Sequence, residues 1–166
     1  MARRPILTWP DPRLLTPCAP VGDEDVVQLA ADMLETMYAA PGRGLAAPQV
    51  GVLKRLFVMD VAWKEGVPAP RIVIDPHILW RSDETATGAE GCLSIPGVTT
   101  DIARATQIRM IWTGPDGQSQ DEILTGFAAI CAQHEYDHLD GIVTFDRLTP
   151  DLRATVQAAY LDTIAT

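Results

Sequence analysis

Between residues 23 and 40 the apolar positions Val26, Ala30, Met33, Leu34 and Met37 recur three and four apart, which places them on one helical face. Asp23 and Glu24 stand at the start, where negative charge favours the helix dipole, so the pattern predicts a first helix over 23–40. Methionine at this spacing reads as core packing rather than as a flexible binding face. The rhythm then shortens. Residues 55–60, 71–76 and 77–81 are brief apolar runs bounded by turn residues, and 108–112 with 119–124 flank Gly114-Pro115-Asp116-Gly117 as a hairpin. Helical spacing returns over 125–138, with Phe127, Ile130, Cys131, His134 and His138 on one stripe and Gly141 placed to end it. A short strand over 142–145 and a last helix over 150–164 complete the pattern. Strands in a block, with helices early and late, predict an α+β fold: short antiparallel or mixed sheets packed around the helix 125–138, with an N-terminal and a C-terminal helix.

Two stretches break the periodicity. Residues 5–15 carry Pro10-Asp11-Pro12 and read as an extended arm with a turn, anchored by Trp9 and its leucines. Residues 41–51 are rich in glycine, proline and alanine and read as a loop in which Gly42 and Gly44 let backbone approach a ligand. The Gly-x-Gly there is no dinucleotide fingerprint, because the strand before it, the helix after it and the third glycine are all missing.

Composition narrows the classes. A chain of 166 residues that is 47% apolar fits one domain over 1–166 with a real core. A net charge of -9 argues against nucleic acid or an anionic membrane as a direct partner. No apolar run approaches the ~20 residues that span a bilayer, and Ala2-Arg3-Arg4 does not lead into a signal sequence, so a cytoplasmic protein is expected. Three cysteines, Cys18, Cys92 and Cys131, make a disulfide framework improbable and leave free-thiol or metal-ligand roles.

The chemistry starts from His134-Glu135-Tyr136-Asp137-His138. Two histidines four apart on a helix can grip one metal ion, with Glu135 beside them as a base. A catalytic site of this kind usually takes a third protein ligand. Cys131 shares the face but lies seven residues from His138, roughly 10 Å along the axis, too far to join both histidines on one ion. The extended zinc-protease pattern would need a histidine where Thr144 stands, and no histidine or glutamate follows His138. Only aspartates such as Asp140 and Asp146 remain on that side, so the third ligand is sought upstream, among Cys18, His77, Cys92 and a few carboxylates. Cys92 is the best placed, in a Gly-Cys-Leu-Ser segment that turns a thiolate inward and offers the next backbone N–H. His77 reads as a surface or packing residue and Cys18 as structural.

Three stretches, taken in order, resemble the signature motifs of the peptide deformylase family: residues 42–49 (Gly-Arg-Gly-Leu-Ala-Ala-Pro-Gln), 90–94 (Glu-Gly-Cys-Leu-Ser) and 133–138 (Gln-His-Glu-Tyr-Asp-His). The likeness covers essentially the whole chain. It implies removal of the N-formyl group from nascent polypeptides that begin with formylmethionine. It also implies one divalent metal on Cys92, His134 and His138, Fe(II) in the cell, with zinc, nickel or cobalt as substitutes in purified protein. Glu135 would be the general base and acid, while the Gln49 side chain and Leu93 N–H would stabilise the oxyanion. Gly44, Arg43 and Glu90 would border the substrate, and Phe127, Ile130 and Cys131 would line a methionine pocket. Three departures stand out. Arg43 replaces a small aliphatic residue common in the family, and predicts a solvent-facing side chain or a preference for an acidic or polar group beyond the methionine. Thr99 replaces an arginine of some bacterial members. The tail 151–166 carries only Arg153 against Asp151 and Asp162, which gives weak support to ribosome docking. A monomer is expected.

Overall fold

The computed structural model describes residues 2–165. A five-stranded sheet runs in the order β1 (Gly44–Ala46), β2 (Leu56–Met59), β3 (Arg71–Arg81), β6 (Gln107–Thr113), β7 (Ser119–Thr125), every neighbouring pair antiparallel. Strands β4 (Thr85–Cys92) and β5 (Ile95–Ala105) form a separate antiparallel ladder. Three helices complete the α+β arrangement: α1 (Val27–Ala39), α2 (Gly126–Leu139) and α3 (Pro150–Ala165).

The central sheet is covered on both faces, and β2 shows why. All four of its residues are buried, and alternate side chains point to opposite faces. Leu56 and Val58 pack with Met33 and Met37 of α1, while Phe57 and Met59 pack with Ala129, Cys131 and Ala132 of α2. Helix α2 is therefore wedged beneath the sheet with its polar residues inside, among them Gln133, His134, Glu135, Asp137 and His138. Each must find a partner or a use. Gln133 donates to the Ala105 and Ala129 carbonyls at 2.9 and 3.0 Å. A third cluster joins α3 to the arm and to β5, with Tyr160, Phe145, Leu14 and Ile95 all nearly inaccessible. Trp9 stacks edge-on against Phe145 at 5.0 Å, as the arm's anchoring role requires.

Helix α2 ends in Gly141 at φ 75, where a Cβ would also lie 2.8 Å from the Leu15 carbonyl carbon and oxygen. Glycine is needed there for both reasons.

Four local expectations are corrected, and one element is new. Helix α1 begins at Val27, not at 23, because the Val21 and Gly22 N–H groups donate to the Asp75 carboxylate at 2.7 and 3.0 Å and hold that stretch against β3. The runs 71–76 and 77–81 are one strand, irregular where Pro76 lacks an N–H and Asp75 adopts φ 49. Gly44–Ala46, expected as loop, is the edge strand β1. The β4–β5 hairpin was not anticipated, since β4 is almost wholly exposed and shows no apolar alternation. Residues 142–145 do not form a strand: the Val143 N–H donates to the Asp146 carboxylate at 2.9 Å and the chain closes into a 3-10 turn, Thr144–Arg147.

Candidate active site

Helix α2 sets the geometry. One helical turn separates His134 from His138, and their ring centroids lie 5.1 Å apart. The tight turn out of β4 brings Cys92 across to them. Ligand atoms of Cys92, His134 and His138 all fall within 4.8 Å of one another, with the Cys92 Sγ 3.4 Å from His138 Nε2. Cys18 is buried elsewhere and its thiol is pushed up to about 11 by burial, and His77 is exposed on β3.

A borderline-soft set of one sulfur and two imidazoles suits a divalent transition metal. Beside these ligands Glu135 Oε1 is buried with no hydrogen-bond partner in the protein, and His138 turns its Nε2 to the Cys92 sulfur. A buried carboxylate oxygen left open in this way fits a site that holds a metal and a water.

The histidine ring is fixed from behind. His134 Nδ1 lies 2.9 Å from Glu90 Oε1, and an ionised carboxylate only accepts, so Nδ1 carries the proton and Nε2 is left for the metal. Arg104 in turn grips Glu90 through Nε and Nη2, both at 2.9 Å, and reaches Asp137 Oδ2 through Nη1 at 2.7 Å. Arg147 closes the network on Asp137 at 2.6 and 3.1 Å. Burial alone would raise the Glu90 carboxyl, but the hydrogen bonds from His134 and Arg104 outweigh it and hold the group below its ordinary range. His138 is also driven down, well below the ordinary histidine value, by burial first. It therefore stays neutral, the form that binds a metal.

Glu135 sits 4% exposed beside them. Burial, the largest cause, pushes its carboxyl up to about 7, with the Glu90 and Asp137 charges adding to the rise and the His134 and Arg104 charges opposing it. Its other wall is β1. A Cβ on Gly44 would lie 2.5 Å from Glu135 Oε2 and 2.9 Å from Cys131 Sγ, so any side chain here would have to push the carboxylate aside. Gln49, on the 3-10 turn Ala47–Val50, is held at both ends of its amide: Oε1 accepts from the Ala46 N–H at 2.9 Å and Nε2 donates to Ser94 Oγ at 3.0 Å.

A cavity of about 450 Å³ opens over this group. Arg43, Gly44, Gln49, Glu90, Cys92, Leu93, Phe127, Ile130, Cys131, His134 and Glu135 line it, and His138 lies behind. Phe127 is 49% exposed, so it faces the cavity rather than serving as filler, whereas Cys131 is a neutral buried thiol, raised by burial first. Glu90 lines the cavity, and its oxygens accept from Arg104 and lie against His134 Nδ1, so it also orients a histidine. Sequence reasoning overlooked Arg104 and Arg147 altogether; the only hint was that two acids, Glu90 and Asp137, fall where burial demands a counter-charge.

A family model described as "Polypeptide deformylase" matches residues 3–154. "Peptide deformylase" of Alkalilimnicola ehrlichii is 50% identical over 151 residues, covering 90% of this chain and 84% of the relative. "Peptide deformylase 2" of Xanthomonas campestris is 46% identical over 162 residues, covering 95% of this chain and 94% of the relative. Among solved structures, peptide deformylase from Ehrlichia chaffeensis in complex with actinonin superposes with a TM-score of 0.92 at 37% identity, covering 100% of both chains. The Thermotoga maritima peptide deformylase gives 0.84 at 41% identity, covering 90% of this chain and 100% of that one.

Proposed function

The chain belongs to the polypeptide deformylase family, enzymes that remove the N-formyl group from nascent peptides, and on that premise we propose how its own residues carry out the reaction. The observation that carries the reading is the convergence of Cys92, His134 and His138 within 4.8 Å beside a buried, unpartnered Glu135 oxygen. These three side chains hold one divalent metal, Fe(II) in the cell, with zinc, nickel or cobalt as substitutes in purified protein. When bound, the metal supplies a Lewis acid that brings the pKa of a water close to neutrality.

Glu135 takes the proton from the attacking water as its oxygen bonds to the formyl carbon, and returns it to the departing amine as the C–N bond breaks. Formate and a free α-amine result. The formyl oxygen gains charge on the way, and the Gln49 amide with the Leu93 backbone N–H donates to it. Ser94 matters because it holds the Gln49 amide in place before substrate arrives, which avoids reorganisation during the reaction. The exposed face of Phe127, with Ile130 and Cys131 behind it, receives the methionine side chain. Strand β1 is an edge strand, so the backbone at Gly44 can pair with an extended peptide.

No helix among the described residues is long and apolar enough to cross a membrane. We place the reaction in the cytoplasm, on a monomer. Helix α3 carries one cation, Arg153, which pairs with Asp146 at 3.0 Å, so support for docking that helix on ribosomal RNA stays weak.

A substrate comparison tests the reading. Formyl-Met-Ala-Ser should be cleaved by the metal-loaded protein, while acetyl-Met-Ala-Ser and an internal peptide bond should not. Cleavage of all three would make the site a general amide hydrolase. Actinonin, the compound in the Ehrlichia chaffeensis structure, should raise the melting temperature of the loaded protein. Gly44→Ala provides a test of geometry. The added Cβ forces the Glu135 carboxylate aside, and kcat should fall on the order of 100-fold. Metal content should stay at one per chain, because none of the three ligands is touched; a variant that kept full kcat would remove Glu135 from its assigned place.

A further inference from the structure

The mouth of the cavity carries charge that the deformylation chemistry does not use. Arg43 lies with its guanidinium 5.1 Å over the Phe127 ring, at the rim of the proposed methionine pocket. Its Nη2 donates to Glu65 Oε1 at 3.0 Å, and its Nε is buried with no hydrogen-bond partner. The Glu65 side chain is 65% exposed against 31% for Arg43, so the carboxylate is the loosely held member of the pair. Surface pairs of this kind contribute little and are readily exchanged for another carboxylate.

The segment that brings Glu65 there is firmly built. Asp60 accepts from the Ala62, Trp63 and Ala69 N–H groups at 3.0–3.1 Å and from the Tyr38 hydroxyl at 2.7 Å. Trp63 Nε1 donates to the Gly42 carbonyl at 3.0 Å, which ties the segment to the residue beside Arg43. Lys64, next to Glu65, also lines the cavity. Of the acids in the lining, Glu90 is held by Arg104 and His134, and the Glu135 carboxylate lies against Gly44, paired with neither cation. In a chain of net charge -9, a local pair of cations at the site entrance points to an anionic group on the ligand.

An extended peptide fixes which group. Side chains alternate, so a chain whose first side chain enters the Phe127 pocket presents its third to the same side, roughly 7 Å further on. We propose that Arg43 is a specificity-determining residue, selecting formylated peptides with a carboxylate side chain at the third position, and that Glu65 occupies its fork until the peptide arrives. The inference rests on the deformylase reading above. Arginine suits the task because its planar fork accepts a carboxylate on two donors.

The test compares three peptides with amidated C-termini: formyl-Met-Ala-Glu, formyl-Met-Ala-Gln and formyl-Met-Glu-Ala. Glutamate at the third position should raise kcat/KM about threefold to tenfold over glutamine, chiefly through KM, and added salt should shrink the difference. In Arg43→Gln the ratio should fall to about one, in Arg43→Lys part of it should survive, and in Glu65→Gln it should grow. Equal use of glutamate and glutamine by the native protein, a ratio that persists in Arg43→Gln, or a preference at the second position would each overturn the proposal. Metal-loaded protein that turned over none of the three would defeat the deformylase reading itself, and this inference with it.

Discussion

Glu135→Gln is expected to bind metal at one equivalent per chain and to lose turnover by about 100- to 10,000-fold. The amide keeps the shape of the carboxylate but cannot accept the water's proton. No ligand is altered, so metal stoichiometry by atomic absorption separates this effect from collapse of the site. The same substitution should leave the melting temperature unchanged or raise it. A carboxylate that is 4% exposed, has an oxygen without a partner and is pushed up by burial is costly to keep, and a neutral amide relieves that burial cost. A variant that retained most of its activity would show that another group moves the proton.

Cys92→Ala acts on the metal instead. It removes the sulfur from a three-residue ligand set whose two histidines sit on one rigid helix and whose third member comes from a separate hairpin. Metal affinity, measured by competition with a chelator, should fall by more than the ~10- to 100-fold that losing a supporting hydrogen bond costs. The fold should survive, because Cys92 closes a two-residue turn and carries little of the core. Unchanged affinity would mean that the third ligand lies elsewhere.

These two residues show what was legible in the sequence. The spacing of His134 and His138 states a shared helix face, and the lack of any later histidine or glutamate sends the search for a third ligand back along the chain. Local periodicity also sufficed for the three helices and for β6 with β7. It failed where burial and pattern part company. Strand β4 is exposed along most of its length, so nothing apolar marks it, yet it delivers Cys92. Strand β1 is only Gly-Leu-Ala, hidden in a glycine-rich stretch, and its glycine is fixed by the approach of Glu135 from a helix about 90 positions later.

The ion-pair network was out of reach for a related reason. Arg104 meets Glu90 and Asp137 across 14 and 33 positions, and no short motif records a contact of that range. What the sequence did contain was the need for it, since a buried acid without a counter-charge is not stable. Glu90 stands two residues before Cys92 in the chain, and that its oxygens turn to a histidine and an arginine is equally absent from any local pattern.

Formate release tests the central claim most directly. Protein purified without oxygen and loaded with iron or nickel is incubated with formyl-Met-Ala-Ser, with and without a chelator. Formate should appear in step with free α-amine, be abolished by the chelator and be restored by added metal. Loaded protein that bound its metal through Cys92, His134 and His138 but released no formate, alongside a working control enzyme, would contradict it.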